Sequence, residues 1–304
     1  MKKKAVFFFL FLLVATGCQY LLNRPQTISG EGVRVEFVEF PERFLGETEP
    51  FLVKTRITNN NPTAPLSGNV CVNDFVTKRL GGIPENSCEP FTLEPAEEIE
   101  GKLFPKQAEQ DFGPFSYERL NPGVPYSTNI AAIFSYLVES RHFVEGFCVK
   151  KSSSAKTPIP CDRSETITTT KQPRTPLQVT SIQKNVNSLG NNQANVRITL
   201  TLKKTDKGDL VSRENLEEPF STNALVDLSV SYLGIPFQCA GLSGGRLDFS
   251  QDAKEVACHA VIDVSQEYIA EPLEVHMIYG FRKVIQTDSI KLIPEEEQSG
   301  DLLA

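Results

Sequence analysis

Period-two alternation recurs along almost the whole chain, and no other feature constrains the fold as strongly. Val33, Val35 and Phe37 are separated by Arg34 and Glu36. Phe51, Val53, Thr55 and Ile57 repeat the pattern until Asn59-Asn60-Asn61-Pro62 ends it. Val196 to Leu202, Val226 to Tyr232, Val256 to Ile262 and Leu273 to Tyr279 alternate in the same way. Ile290 and Leu292 begin a last run that Pro294 stops. Apolar alternation bounded by Pro, Gly and Asn is the signature of half-buried strands. Strands at this spacing predict antiparallel sheet-on-sheet packing, not βαβ units. Residues 127–137 read two ways: Ile130, Ile133, Phe134 and Leu137 have helical spacing, whereas Ile130, Ala132, Phe134 and Tyr136 have strand spacing. With another strand-like run at 143–149, a hairpin is expected there.

The chain has 304 residues, 40% of them hydrophobic and 23% charged, values of a globular protein long enough for two domains. Its most linker-like stretch is 151–176, rich in Ser, Thr, Lys and Pro. The expected organisation is therefore a signal segment at 1–17, a tether at 18–30, a first β-sandwich domain at 31–165, a linker at 166–175, a second sandwich at 176–294 and an acidic, disordered tail at 295–304. A formal net charge of −7 makes nucleic acid an unsuitable partner.

Lys2, Lys3 and Lys4 precede an apolar run from Ala5 to Gly17. As a helix that run would reach about 20 Å, against roughly 30 Å of bilayer hydrocarbon, so it reads as a signal peptide and not a span. It ends in Ala15-Thr16-Gly17-Cys18. That ending resembles the lipobox of prokaryotic lipoproteins, which implies a lipid on the sulfur of Cys18 and anchoring to a membrane through it. A thioether lipid with two chains, diacylglyceryl or archaeal diether, anchors stably, each buried methylene contributing about 0.8 kcal/mol. Setting Cys18 aside leaves six cysteines, Cys71, Cys88, Cys148, Cys161, Cys239 and Cys258. Six allow about fifteen pairings, among which sequence cannot choose. Pairing of sequence neighbours, Cys71 with Cys88, Cys148 with Cys161 and Cys239 with Cys258, is favoured because each pair falls within one candidate hairpin or its flanking loop. A loop of this length contributes about 3 kcal/mol in the chain-entropy model. Zinc has no CxxC spacing to use, so no metal or cofactor is expected.

The stretch Pro176 to Ile182 followed by Val196 to Leu202 resembles the opening of archaeal cell-surface proteins with tandem immunoglobulin-like domains. Tyr232-Leu-Gly-Ile-Pro-Phe-Gln-Cys239, Glu255-Val-Ala-Cys258 and Ile278-Tyr-Gly-Phe281 are similar to the cysteine strands and the Tyr-Gly strand of the same group. Residues 128–136 followed by Phe147-Cys148 resemble its repeating strand pair. The resemblance implies surface display on β-sandwiches. It implies no activity.

Few motifs bear on chemistry. Gly241-Leu242-Ser243-Gly244-Gly245 fits G-x-S-x-G, but the nucleophile elbow needs a helix after the serine, and Arg246 to Gln251 shows no helical period. His259 and His276 alternate with core positions and should face solvent or the opposite sheet. Asp206 and Asp209 could approach calcium, yet two carboxylates fall short of six to eight oxygen ligands. Without tryptophan, carbohydrate stacking would rest on Tyr126, Tyr136 and Phe115. Glu97-Glu98-Ile99-Glu100 reads as a solvated strand edge. The sequence thus predicts an extracytoplasmic, lipid-anchored, non-catalytic protein with a structural or adhesive role. Two further readings stand beside it: an accessory subunit of an envelope, secretion or pilus complex binding a partner by a sheet edge, and a serine hydrolase through Ser243.

Overall fold

A computed structural model describes residues 32–76, 78–85, 87–150, 161–169, 174–218 and 223–295. The signal segment, Cys18, the tether, part of the linker and the acidic tail beyond 295 lie outside the described residues. Those that are described belong to one compact unit beginning at Gly32.

The fold is all-β, as the alternation requires. The largest sheet has eight strands. Its hydrogen-bonded neighbours run Ile235–Pro236, Leu225–Tyr232, Leu273–Gln286, Ile130–Val144, Leu66–Asp74 and Ser87–Leu93. Asp209–Val211 also pairs with 273–286, and Arg246–Asp248 with 225–232. A five-stranded sheet has the order Ser164–Thr168, Leu177–Gly190, Gln193–Lys204, Ala253–Asp263, Gln238–Cys239. A three-stranded sheet joins Val33–Glu39, Phe51–Asn59 and Lys106–Phe115. In a smaller one, Phe44–Gly46 lies parallel to Ile290–Ile293, which also pairs with Tyr126–Thr128.

The spine of the large sheet is the antiparallel pair 130–144 and 273–286, in register from Ala131↔Gln286 to Val144↔Leu273. Every even residue from Ile130 to Val144 is buried, and so is every odd residue from Leu273 to Lys283. The register sets Tyr136 opposite Phe281 and Val138 opposite Tyr279, so both sets face the same side. That side is the core, where each fully buried Val, Leu or Phe contributes about 1.5–3 kcal/mol. Two polar contacts tie the other sheets to it. The amide of Leu177 donates to the Tyr279 hydroxyl at 3.0 Å, and Lys283 Nζ donates to the Val33 carbonyl at 3.1 Å.

One expectation changes. The segment after Ser127 is neither helix nor hairpin. No turn residue interrupts the burial pattern between Ile130 and Val144, so the chain runs on as a single strand of 15 residues. Cys148–Lys150 follows the Gly146 turn and pairs with Tyr268–Ala270 instead. Pairing also continues across the linker expected at 166–175, since the spine strands come from opposite sides of it.

Candidate functional site

On the face opposite the core, the large sheet carries a groove of about 550 Å³. Alternation builds its lining. Ala131 and Ile133 from one spine strand and Arg282, Val284 and Gln286 from the other all point outward, with Asn73 beside them. Leu210, Ala224 and Phe249 add apolar surface, and the Lys204–Asp252 ion pair, closed at 3.1 Å, adds charge. Phe75 and Val284, 64% and 46% exposed, present apolar surface to solvent there.

Arg282 fixes one side of the groove. Its Nε donates to Ser135 Oγ at 3.3 Å, and its terminal nitrogen donates to the carbonyls of Asn215, at 3.3 Å, and of Glu218. Burial lowers its pKa from the usual arginine value, with the Asp209 carboxylate opposing. The guanidinium is thereby engaged in holding 213–218 over the sheet. Gly280 makes this approach possible, since a Cβ there would stand 2.6 Å from Val211 Cγ2 and 2.7 Å from Leu216 Cδ2. The groove is a concave surface with an apolar floor and a few polar groups.

The six cysteines form three disulfides, Cys71–Cys88, Cys148–Cys161 and Cys239–Cys258. Cys71 and Cys88 sit directly opposite each other in an antiparallel pair, as do Cys239 and Cys258, with Cα atoms 4.0 and 3.9 Å apart. Each staples an outer strand to its neighbour. The third disulfide lies against Lys184, whose side chain is fully buried. Lys184 Nζ donates to the Cys148 carbonyl at 2.8 Å, pairs with the Glu165 carboxylate and stands 5.4 Å from the centre of the Phe147 ring.

The other sequence candidates scatter. Ser243 lies in a tight turn, its amide donating to the Arg246 carbonyl at 2.9 Å, and the strand Arg246–Asp248 follows where an elbow would need a helix. His142 is buried, His259 is exposed, and His276 is hydrogen-bonded to Glu139 at 2.9 Å. Asp206 is occupied by Lys283 at 3.2 Å and is not offered to a cation. Among the described residues no group of three or more His, Cys, Asp or Glu is placed to hold a metal ion. Tyr136 is fully buried, its ring centre 5.7 Å from that of Phe281, while Tyr126 and Phe115 are half-buried. Glu97–Ile99 forms an exposed hairpin with Lys102–Phe104, and Lys106 pairs with Glu97. The buried charges Lys184, Arg282 and Lys283, like the buried Asp74, were not foreseen.

No family model, no curated protein and no solved structure matches the chain. What the fold and the sulfur pairing define is a disulfide-stapled all-β protein suited to an oxidising, extracytoplasmic environment. No helix among the described residues is long and apolar enough to cross a membrane.

Proposed function

We propose that this is a lipid-anchored extracytoplasmic surface protein with a structural or adhesive binding role and no catalysis. The observation that carries the reading is the use of the sulfurs. Six are paired in the fold, and the seventh, Cys18, follows an apolar run too short to span a bilayer. The halves 31–165 and 176–294 are read as two immunoglobulin-like sandwiches joined through the shared spine. The exposed groove across that spine supports a binding role over a purely structural one. Intact mass of the natively produced protein tests the proposal. The expected species begins at Cys18, carries added lipid and lacks six thiol hydrogens. A chain that begins at Met1 with seven reactive thiols would overturn it.

A second reading, an accessory subunit that takes a partner's strand at a sheet edge, is supported by the edges at which the sheet orders end among the described residues. It does not depend on the anchor.

A further inference from the structure

Four edge strands of the three larger sheets exceed three residues: Val33–Glu39, Ser87–Leu93, Lys106–Phe115 and Ser164–Thr168. Natural proteins blunt such edges with bulges, prolines or charges. In Val33–Glu39 the register shifts between Phe37 and Glu39, and Arg34, Glu36 and Glu39 line the strand. Ser87–Leu93 carries Glu89 and an exposed Pro90, and Gln110 of Lys106–Phe115 reaches the Pro90 carbonyl at 3.3 Å. Lys106–Phe115 itself carries Glu109, Asp111 and Pro114. Ser164–Thr168, with sequence Ser-Glu-Thr-Ile-Thr, has no proline and no bulge against its neighbour.

Its single charge faces inward. An inward charge ordinarily guards an edge, because a new strand would bury it without a partner. Here Lys184 already supplies the counter-ion to Glu165, so that guard is disarmed. The hydrogen-bond parity can also be assigned. The Val186 amide donates to the Arg163 carbonyl at 2.8 Å, and the Thr169 amide to the Thr180 carbonyl at 3.4 Å. In the observed register these are directly opposed residues, so the odd positions 163 to 169 bond to 177–190. The main-chain groups of Ser164, Thr166 and Thr168 therefore point away from the sheet. Charge adds a preference. In a chain of net charge −7, the described residues flanking this strand include Lys150, Arg163 and Arg174 against Asp162 alone.

We infer that the outer edge of Ser164–Thr168 takes an extended, acidic segment of a partner protein by main-chain pairing at Ser164, Thr166 and Thr168. This deepens the sheet-edge reading above and rests on it. The test uses the disulfide-bonded chain and two synthetic ten-residue peptides, one alternating Val with Glu and one alternating Val with Lys. Amide exchange is followed residue by residue. The Glu peptide is expected to slow exchange at Ser164, Thr166 and Thr168 at least about tenfold, with Glu165 and Ile167 unchanged, and the Lys peptide to slow none of them. Thr166→Pro removes an outward amide only, and should abolish the effect; if that variant does not fold, the pattern in the unmodified chain decides alone. Slowing confined to another edge, such as 33–39, overturns the assignment to 164–168 and leaves the sheet-edge reading standing. Slowing at no edge overturns both. Outward amides already protected in the free chain, or a concentration-dependent dimer formed through them, would also overturn the inference, since the edge would then belong to this chain itself.

Discussion

Lys184 and Glu165 form an ion pair whose lysine side chain is fully buried, whereas the glutamate side chain is 29% exposed. Removing the counter-ion from a buried charge costs more than removing the buried charge. Glu165→Gln strands Lys184 in the core and is expected to cost about 2–3 kcal/mol, somewhat below the loss for a fully enclosed pair. Lys184→Met leaves a glutamate that water can reach, and should be the milder change by at least about 1 kcal/mol. Urea unfolding of both variants checks the order, and a milder Glu165→Gln would contradict it. This pair was not legible in the sequence. A register shift between Val179 and Ser181 changes the inward phase, so that Ile182, Lys184 and Val186 follow Leu177 and Val179 into the core. Strict alternation from Val179 places Lys184 on the wrong face.

At the level of elements, alternation identified most long strands, because one face of each is buried and the other wet. Gln193–Lys204 and Ala253–Asp263 follow their predicted runs closely. The turn Gly190-Asn191-Asn192 is also as its residues suggest, all three having positive φ. Lys106–Phe115 escaped notice because only Phe112 on it is fully buried. The spine strand 130–144 looked ambiguous because both of its faces are covered near its start, where Ala131 and Ser135 are buried as well. The groove could not be foreseen, since its lining is drawn from Asn73, Ala131, Phe249 and Val284, far apart in the sequence; nor could the close approach of Leu216 and Val211 to Gly280. A methyl group at position 280 would collide with both. Gly280→Ala is therefore expected to destabilise by about 1–3 kcal/mol and to raise amide exchange across 209–218. Unchanged exchange there would show that this segment does not depend on the close approach.

For the whole molecule, what composition suggests and what pairing does diverge. Ser, Thr, Lys and Pro at 151–176 look like the join between separable domains, yet hydrogen bonding between partners on either side of that stretch continues through fourteen matched positions. Local sequence records where a chain is polar, and it carries no trace of which distant strand will be its neighbour. Unfolding should accordingly be a single transition, with equal calorimetric and van't Hoff enthalpies. Two resolved calorimetric peaks would show that the halves unfold independently.

The spine also sets an order of events during biogenesis. The strand beginning at Ile130 is made long before its neighbour beginning at Leu273. While the chain emerges, an apolar ribbon of Ile, Phe, Tyr and Val waits with one flank bare, the kind of transient surface that aggregates unless something shields it. Completion of the large sheet thus waits until the strand beginning at Leu273 has been made, and the half-made chain is the stage at which shielding would matter.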